Sequence, residues 1–292
     1  MRSLLRRNQG LLFALPALIA LAALVGYPLL YTAVLSVTND RGGFVGLDNY
    51  RYFLGDDKTA LSISNTLVYV LGSMVLQILL GTAAGIMLNQ KFRGRGLVRS
   101  LVLIPWVIPG IVAATTWAWM FHAEFGIINY ALMQLHAIER SVGWLTDPYK
   151  VLPSLIAVNV WKMFPFVAVM VLAGLQTVPD ALYEAARVDG AGFLAEIRYI
   201  MLPHLRPVLT SVSLLLVIWG LNGITIIYTM TRGGPANRSL ILPIQIFKEA
   251  FELFRLNHAA ALSLALFLVL FLAILVFMNV FRSAEEKADD AA

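Results

Sequence analysis

The chain has 292 residues, 59% of them hydrophobic and 13% charged, whereas a soluble domain carries roughly 45–50% apolar and about 25% charged residues, so an ordinary water-soluble fold is excluded. It contains no cysteine, which excludes disulfides, thiolate chemistry, Cys-ligated metals and a lipidated N-terminal Cys. The net charge of +5 does not point to nucleic acid, because Arg and Lys lie mainly between apolar runs; contact with anionic lipid headgroups fits that pattern better.

A bilayer core about 30 Å thick calls for about 20 mostly apolar residues per helix. Six windows meet that length, at 11–35, 61–88, 97–121, 151–175, 207–230 and 259–281. None alternates as the strands of a membrane barrel do, so all six are read as spanning helices. The first follows Arg2, Arg6 and Arg7. It outruns the apolar core of a signal peptide and holds Pro16 and Pro28, both tolerable in a packed membrane helix. After the second window Lys91, Arg93, Arg95 and Arg99 crowd into one tight loop with no acid among them. Short cytoplasmic loops retain such charge, so this loop and both termini are expected in the cytoplasm. Loops 37–60, 122–150 and 231–258 then face outward, and 178–206 faces the cytoplasm. Arg232, Arg238, Lys248 and Arg255 run against that rule. The tail acids Glu285, Glu286, Asp289 and Asp290 read as a solvated end.

Between the fourth and fifth windows, 179–207 is the least random segment. Pro179 and Asp180 suit the first turn of a helix, where a missing N–H is harmless and a carboxylate meets the positive dipole end. Asp189-Gly190 suits its end, because Gly accepts a left-handed closing residue. A second helix is expected over about 193–201, stopping before Pro203. Small Ala185 and Ala186 beside charged Glu184 and Arg187 would let a partner approach the backbone and pair with the charges. That combination describes a docking element.

At these positions the chain resembles the transmembrane permease subunits of binding-protein-dependent ATP-binding-cassette importers, in the sugar-permease branch related to the maltose and glycerol-3-phosphate systems. Glu184-Ala185-Ala186, Asp189-Gly190-Ala191, Ile200, Leu202-Pro203 and Arg206-Pro207 stand at the spacing of that family's cytoplasmic signature loop. Trp161, Pro165-Phe166, Ala173-Gly174-Leu175-Gln176 and Pro179 support the match ahead of it, and Thr231-Arg232-Gly233-Gly234-Pro235 after it. Ile197, where the family often has Phe, and Asn257-His258, where Gly is commoner, depart from the pattern.

The resemblance implies an all-α membrane protein of six transmembrane helices with the type I ABC importer permease fold, one permease domain over 1–292. It implies a coupling loop at 178–206, with Glu184, Arg187 and Asp189 making polar contacts to an ATPase. Ala185, Ala186, Gly190, Ala191 and Pro203 would supply its close approach and turns. The implied partners are a dimer of ATPase subunits, a second permease subunit, an external solute-binding protein and a carbohydrate or polyol cargo. No cofactor is expected on this chain, ATP and Mg being used by the ATPase. The expected location is a bacterial or archaeal cytoplasmic (inner) membrane. Glycerol phosphate or an amino acid is the alternative cargo.

Polar side chains inside spanning helices are costly and mark functional candidates. Here they are Gln77, Asn159, Lys162 and Asn222, with Trp117, Trp161, Trp219 and Tyr228 as aromatic companions for sugar rings. Of these, Asn222, Asn159, Gln77, Trp161, Trp219 and Tyr228 make up the expected substrate path. Fifteen residues beyond Pro207, about 22 Å along a helix, Asn222 falls somewhat past the membrane centre. Amides also join helices to one another, and Lys162 could snorkel outward. A membrane enzyme is disfavoured, since His122, His136, His204 and His258 are scattered and no Gly-x-Ser-x-Gly elbow occurs. A secondary transporter is disfavoured too, since the central parts of the windows carry no acid.

Overall fold

A computed structural model describes residues 13–289. Arg2, Arg6, Arg7 and Asp290 lie outside the described residues, as do the side chains of Glu285, Glu286 and Asp289. In chain order the helices are α1 (Phe13–Ser36), α2 (Asp48–Leu54), α3 (Asp57–Asn89), α4 (Arg95–Val107), α5 (Gly110–Met120) and α6 (Ile127–Gln134). They continue with α7 (Val151–Leu175), α8 (Asp180–Val188), α9 (Phe193–Thr231), α10 (Leu242–Phe247) and α11 (Leu256–Asp289). Among the described residues no strand forms beyond one isolated bridge, Thr38 to Phe44. By length and composition α1, α3, α7, α9 and α11 can each cross a membrane, and α4 with α5 supplies a sixth span as a bent pair. The chain groups into two compact units, one from the segments up to Asp57 and from Ile246 onward, the other Lys58–Gln245.

In the larger unit α7 is the central helix. It is apolar along most of its length, and Val151, Leu155, Val158, Val167, Ala168 and Val171 are fully buried, as befits a helix with neighbours on most sides. Two glycines one turn apart on α3 bring the α3 and α7 backbones together. A Cβ on Gly81 would lie 2.4 Å from Val167 Cβ, and one on Gly85 would lie 2.6 Å from Val171 Cγ1. Lipid tails are as apolar as leucine, so association in a bilayer rests on this close packing rather than on water exclusion. Gly174 does the same for α9, where a Cβ would lie 2.9 Å from Leu205 Cδ2.

The third window differs from the continuous helix expected over 97–121. It is broken between α4 and α5, which meet at 93°. Pro109 has no N–H to continue the ladder, and Ile108 before it is extended at φ −60°, ψ 130°, the conformation a following proline favours. The second helix of the 179–207 segment also differs, because it does not stop before Pro203. One α turn (Phe193–Glu196) and one wide π turn (Ile197–Met201) lead straight into Leu202–Asn222. Leu202 N–H reaches back five residues to Ile197 O, and that extra residue in the turn lets the helix run on through the proline.

In the unit up to Asp57 and from Ile246 onward, two asparagine amides satisfy the carbonyls at the end of α1. Asn49 Nδ2 donates to Ser36 O and Thr38 O, both at 2.9 Å, and Asn257 Nδ2 donates to Leu35 O at 3.1 Å and Thr38 O at 2.8 Å. His258 stacks on Tyr52 with ring centroids 4.5 Å apart. At the Asn257-His258 departure, Asn257 thus holds this helix end while His258 packs on α2.

Candidate functional site

Two features of the larger unit gather the residues singled out in the sequence. The first is the 179–207 segment. α8 starts at Asp180 with Pro179 just before it, and no residue of α8 is buried. It closes with Ala191 N–H on Ala186 O at 2.8 Å and Gly190 at φ 78°, a left-handed closure that suits glycine. The flanking apolar side chains are left uncovered, Val188 at 88% and Leu194 at 80% exposure. Glu184, Ala185 and Asp189 are exposed beside them and Ala186 is half-buried. Arg187 reaches across the turn to Glu196, with Nε 3.4 Å from Oε1. The sequence reading assigned Arg187 only an outside partner and overlooked Glu196, which is buried. Val188 and Leu194 were also missed, although exposed apolar residues on a polar loop were a readable signal.

A polar pocket of about 580 Å³ lies behind this segment, walled on one side by Lys91 and Arg95 and on the other by Asp180, Tyr183, Glu184 and Arg187. The Tyr183 hydroxyl is buried without a hydrogen-bond partner. Burial pushes its phenol above the ordinary range, and the carboxylates of Glu196 and Asp180 push in the same direction.

The second feature is a pocket of about 190 Å³ among α3, α7, the α4–α5 break and α9. Gln77, Asn159 and Trp219 from the expected path line it, together with Tyr69, Lys162, Gly110, Gly223 and Thr225. Gln77 is also a helix tie, its Nε2 donating to Asn159 O at 3.2 Å. Trp219 and Phe166 meet edge-to-face, with centroids 4.9 Å apart.

Asn222, Trp161 and Tyr228 do not line this pocket. Asn222 is the last residue before the Gly223 interruption of α9 and is exposed. Its amide donates at 2.8 Å to Ile218 O of its own helix, rather than to a neighbouring one. Trp161 packs edge-on against Trp117 at 5.4 Å, and Tyr228 packs on the core around Ile227 and Leu240. Gly220, two residues before Asn222, lets α9 approach α3 closely, since a Cβ there would lie 3.2 Å from Val70 Cγ2.

Lys162 does not snorkel. Its Nζ lies 2.5 Å from Ile108 O and 3.4 Å from Trp106 O, the carbonyls that the α4–α5 break leaves without helical donors.

Comparison with known proteins adds independent information. The family described as "Binding-protein-dependent transport system inner membrane component" matches residues 77–286. The trehalose/maltose transport system permease protein MalF of Thermococcus litoralis is 35% identical over 243 residues, 82% of each chain. The sulfoquinovosyl glycerol transport system permease protein SmoG of Agrobacterium fabrum is 32% identical, over 89% of this chain and 86% of that protein. Among solved structures, a bacterial ABC transporter that imports the acidic polysaccharide alginate superposes with a TM-score of 0.84. That alignment has 22% identity and covers 95% of this chain and 96% of that one, a likeness of fold.

Proposed function

This chain belongs to the family of binding-protein-dependent transport system inner membrane components, and from that premise we propose that it forms half of an import pathway for a carbohydrate or related polyol. As a family member it is a multi-pass membrane transport subunit with the type I ABC importer permease fold, and not an enzyme. The remaining half of the pathway is a second permease subunit. An external solute-binding protein delivers cargo, and a dimer of ATPase subunits, using ATP and Mg, docks on 178–206. That segment and both termini then lie in the cytoplasm.

The docking segment carries this reading. An amphiphilic helix held by a closed turn, with Val188 and Leu194 uncovered, is costly to leave in water and suits a groove in a partner. The cargo class rests on the named relatives and on the chemistry of the pocket. Trp219 offers a ring face, and the Gln77 and Asn159 amides with the Tyr69 hydroxyl can donate to or accept from sugar hydroxyls. At about 190 Å³ the pocket is smaller than the ~300–1,000 Å³ of ordinary ligand sites, which favours a second subunit completing it.

The test is co-purification of the ATPase with the wild-type chain, Gly190→Pro and Glu184→Lys, with transport measured in proteoliposomes. Gly190→Pro forbids the positive φ and removes the N–H that bonds Arg187 O at 3.1 Å. Both variants should insert normally yet bind the ATPase weakly and lose transport. Undiminished binding and transport in both would refute the docking role.

A further inference from the structure

At the α4–α5 break an ammonium sits on backbone carbonyls. Prolines alone do not explain a right-angled break here. Pro165 lies inside α7, and Pro203 and Pro207 lie inside α9, in helices that continue past them. Pro105 is likewise carried inside α4. At Pro109 the outcome differs, and what distinguishes it is Lys162. In a bilayer interior freed carbonyls have no water to bond, so an irregular stretch survives only where protein groups satisfy it or a wet cavity borders it. Both conditions are met. The ammonium bonds Ile108 O and Trp106 O, and Gly110 with Lys162 lines the pocket.

The electrostatics agree with this placement. No carboxylate lines the pocket, and α4, α5 and α7 contain no acid at all. A lysine in that setting would carry an uncompensated charge were it not at the negative end of the α4 dipole. A second cation behaves alike. Arg99 Nη2 donates to Leu88 O, near the end of α3, at 3.1 Å.

The break also has a counterpart. Gly223 and Ile224 interrupt α9 just before Thr225, and a Cβ on Gly110 would lie 3.4 Å from Thr225 Cγ2 and 4.0 Å from Lys162 Cε. Two interruptions therefore meet at one pocket wall, with Lys162 holding the first of them.

We propose that Lys162 is a positioning residue for transport, whose ammonium holds the third span bent at Ile108–Pro109 and through that bend sets the wall of the pocket. Its role in transport rests on the import reading above; its role in the bend does not, and the two are measured separately.

Because the chain has no native cysteine, spin labels can be placed at the exposed positions Leu101 and Trp119 in the assembled complex. A straight helix would put these positions, eighteen residues apart, about 27 Å from each other, and a right-angled break about 19 Å. The wild type and Lys162→Arg, which keeps a cation with donors, should give the short distance and normal transport. Lys162→Met should shift the distance by about 8 Å or broaden it widely, with transport reduced about tenfold or more. Pro109→Ala, which restores an N–H while leaving Lys162 in place, should stay short. A short distance in Lys162→Met would overturn the proposal, as would a long one in Pro109→Ala. If Lys162→Met does not fold, Pro109→Ala decides alone: a short distance supports the role of Lys162, and a long one assigns the break to the proline.

Discussion

Arg187 and Glu196 face each other across the Asp189–Gly190 turn, the guanidinium Nε 3.4 Å from a carboxylate oxygen that is itself largely buried. The pair ties α8 to the start of α9, a helix that lines the pocket, so displacement of α8 would be passed to that helix. Two short helices joined by a bare turn would instead swivel.

The first prediction follows from that tie. Arg187 is 69% exposed at its side chain, so solvent screens the pair and its removal costs at most about 1 kcal/mol of stability. Arg187→Ala should leave unfolding of the complex nearly unchanged while lowering cargo-stimulated ATP hydrolysis by about fivefold, the factor that 1 kcal/mol represents. Glu196→Gln should behave alike. Full stimulation in both variants would show that the tie transmits nothing.

The second prediction concerns Gly81 and Gly85. A side chain at Gly81 meets Val167 Cβ and Phe164 O, and one at Gly85 meets Val171 and Ala168 O, and backbone oxygens cannot step aside. Gly81→Leu should lower stability in detergent by about 1–3 kcal/mol or more, read as a lower unfolding midpoint. Gly96 is the control, with nothing within 4 Å of its added Cβ. Gly96→Ala should be neutral or stabilise by up to about 1 kcal/mol. Equal effects at the two sites would contradict the α3–α7 packing.

These two sites also show what the sequence could and could not convey. Spanning helices were legible because a bilayer demands some twenty apolar residues in a row whatever they pack against. The turn that ends α8 was legible because Asp189-Gly190 acts locally. The Gly81, Gly85 spacing was readable as a helix-contact motif and was overlooked. The break at Ile108–Pro109 was not legible, since Pro165, Pro203 and Pro207 look the same in sequence yet stay inside helices, and the deciding group lies 54 residues away at Lys162. Long-range polar ties were equally hidden. Asn65 Nδ2 donates to Leu240 O, 175 residues on, and Ser62 Oγ bonds Gln245 Oε1, 183 residues on. Gln77 and Asn159 were found as polar residues in apolar runs, whereas the placement of Asn222 depended on where α9 is interrupted.

The third prediction is a pH dependence. Burial raises the Tyr183 phenol above its usual pKa of 10.0, with the Glu196 and Asp180 carboxylates adding to it. Between the unfolded and folded values the folded chain holds a proton that the unfolded chain has released, so stability falls as pH rises through that window. It is fully present below pH 10. Unfolding of the complex should therefore become easier above about pH 10, and Tyr183→Phe should reduce that slope. Because the wild-type hydroxyl is buried without a partner, Tyr183→Phe should also be at least as stable at pH 7. An unaltered alkaline slope in the variant would remove Tyr183 as its source.

The last prediction is orientation. The basic loop 91–99 and the docking segment both require the same side of the membrane, the first by charge retention and the second by its ATPase partner. Three of the four cations that run against the charge rule have local partners. Arg232 lies over the Tyr228 ring and Arg238 over the Tyr149 ring, at 5.9 and 5.8 Å, and Arg255 reaches the Tyr52 hydroxyl at 3.3 Å. Charges engaged in folded loops are weaker topological signals than the crowded group at Lys91–Arg99, where only Arg99 has such a tie. Single cysteines can read this out in a chain that has none of its own. Gly96 and Gly192 are exposed with open space around an added Cβ, and Ala137 is exposed in the 122–150 loop. Gly192 serves better than the half-buried Ala191 beside it. In intact cells a membrane-impermeant thiol reagent should label Ala137→Cys and spare Gly96→Cys and Gly192→Cys until the membrane is permeabilised. Labelling at Gly96 and Gly192 without Ala137 would invert the chain, and with it the side on which the ATPase can dock.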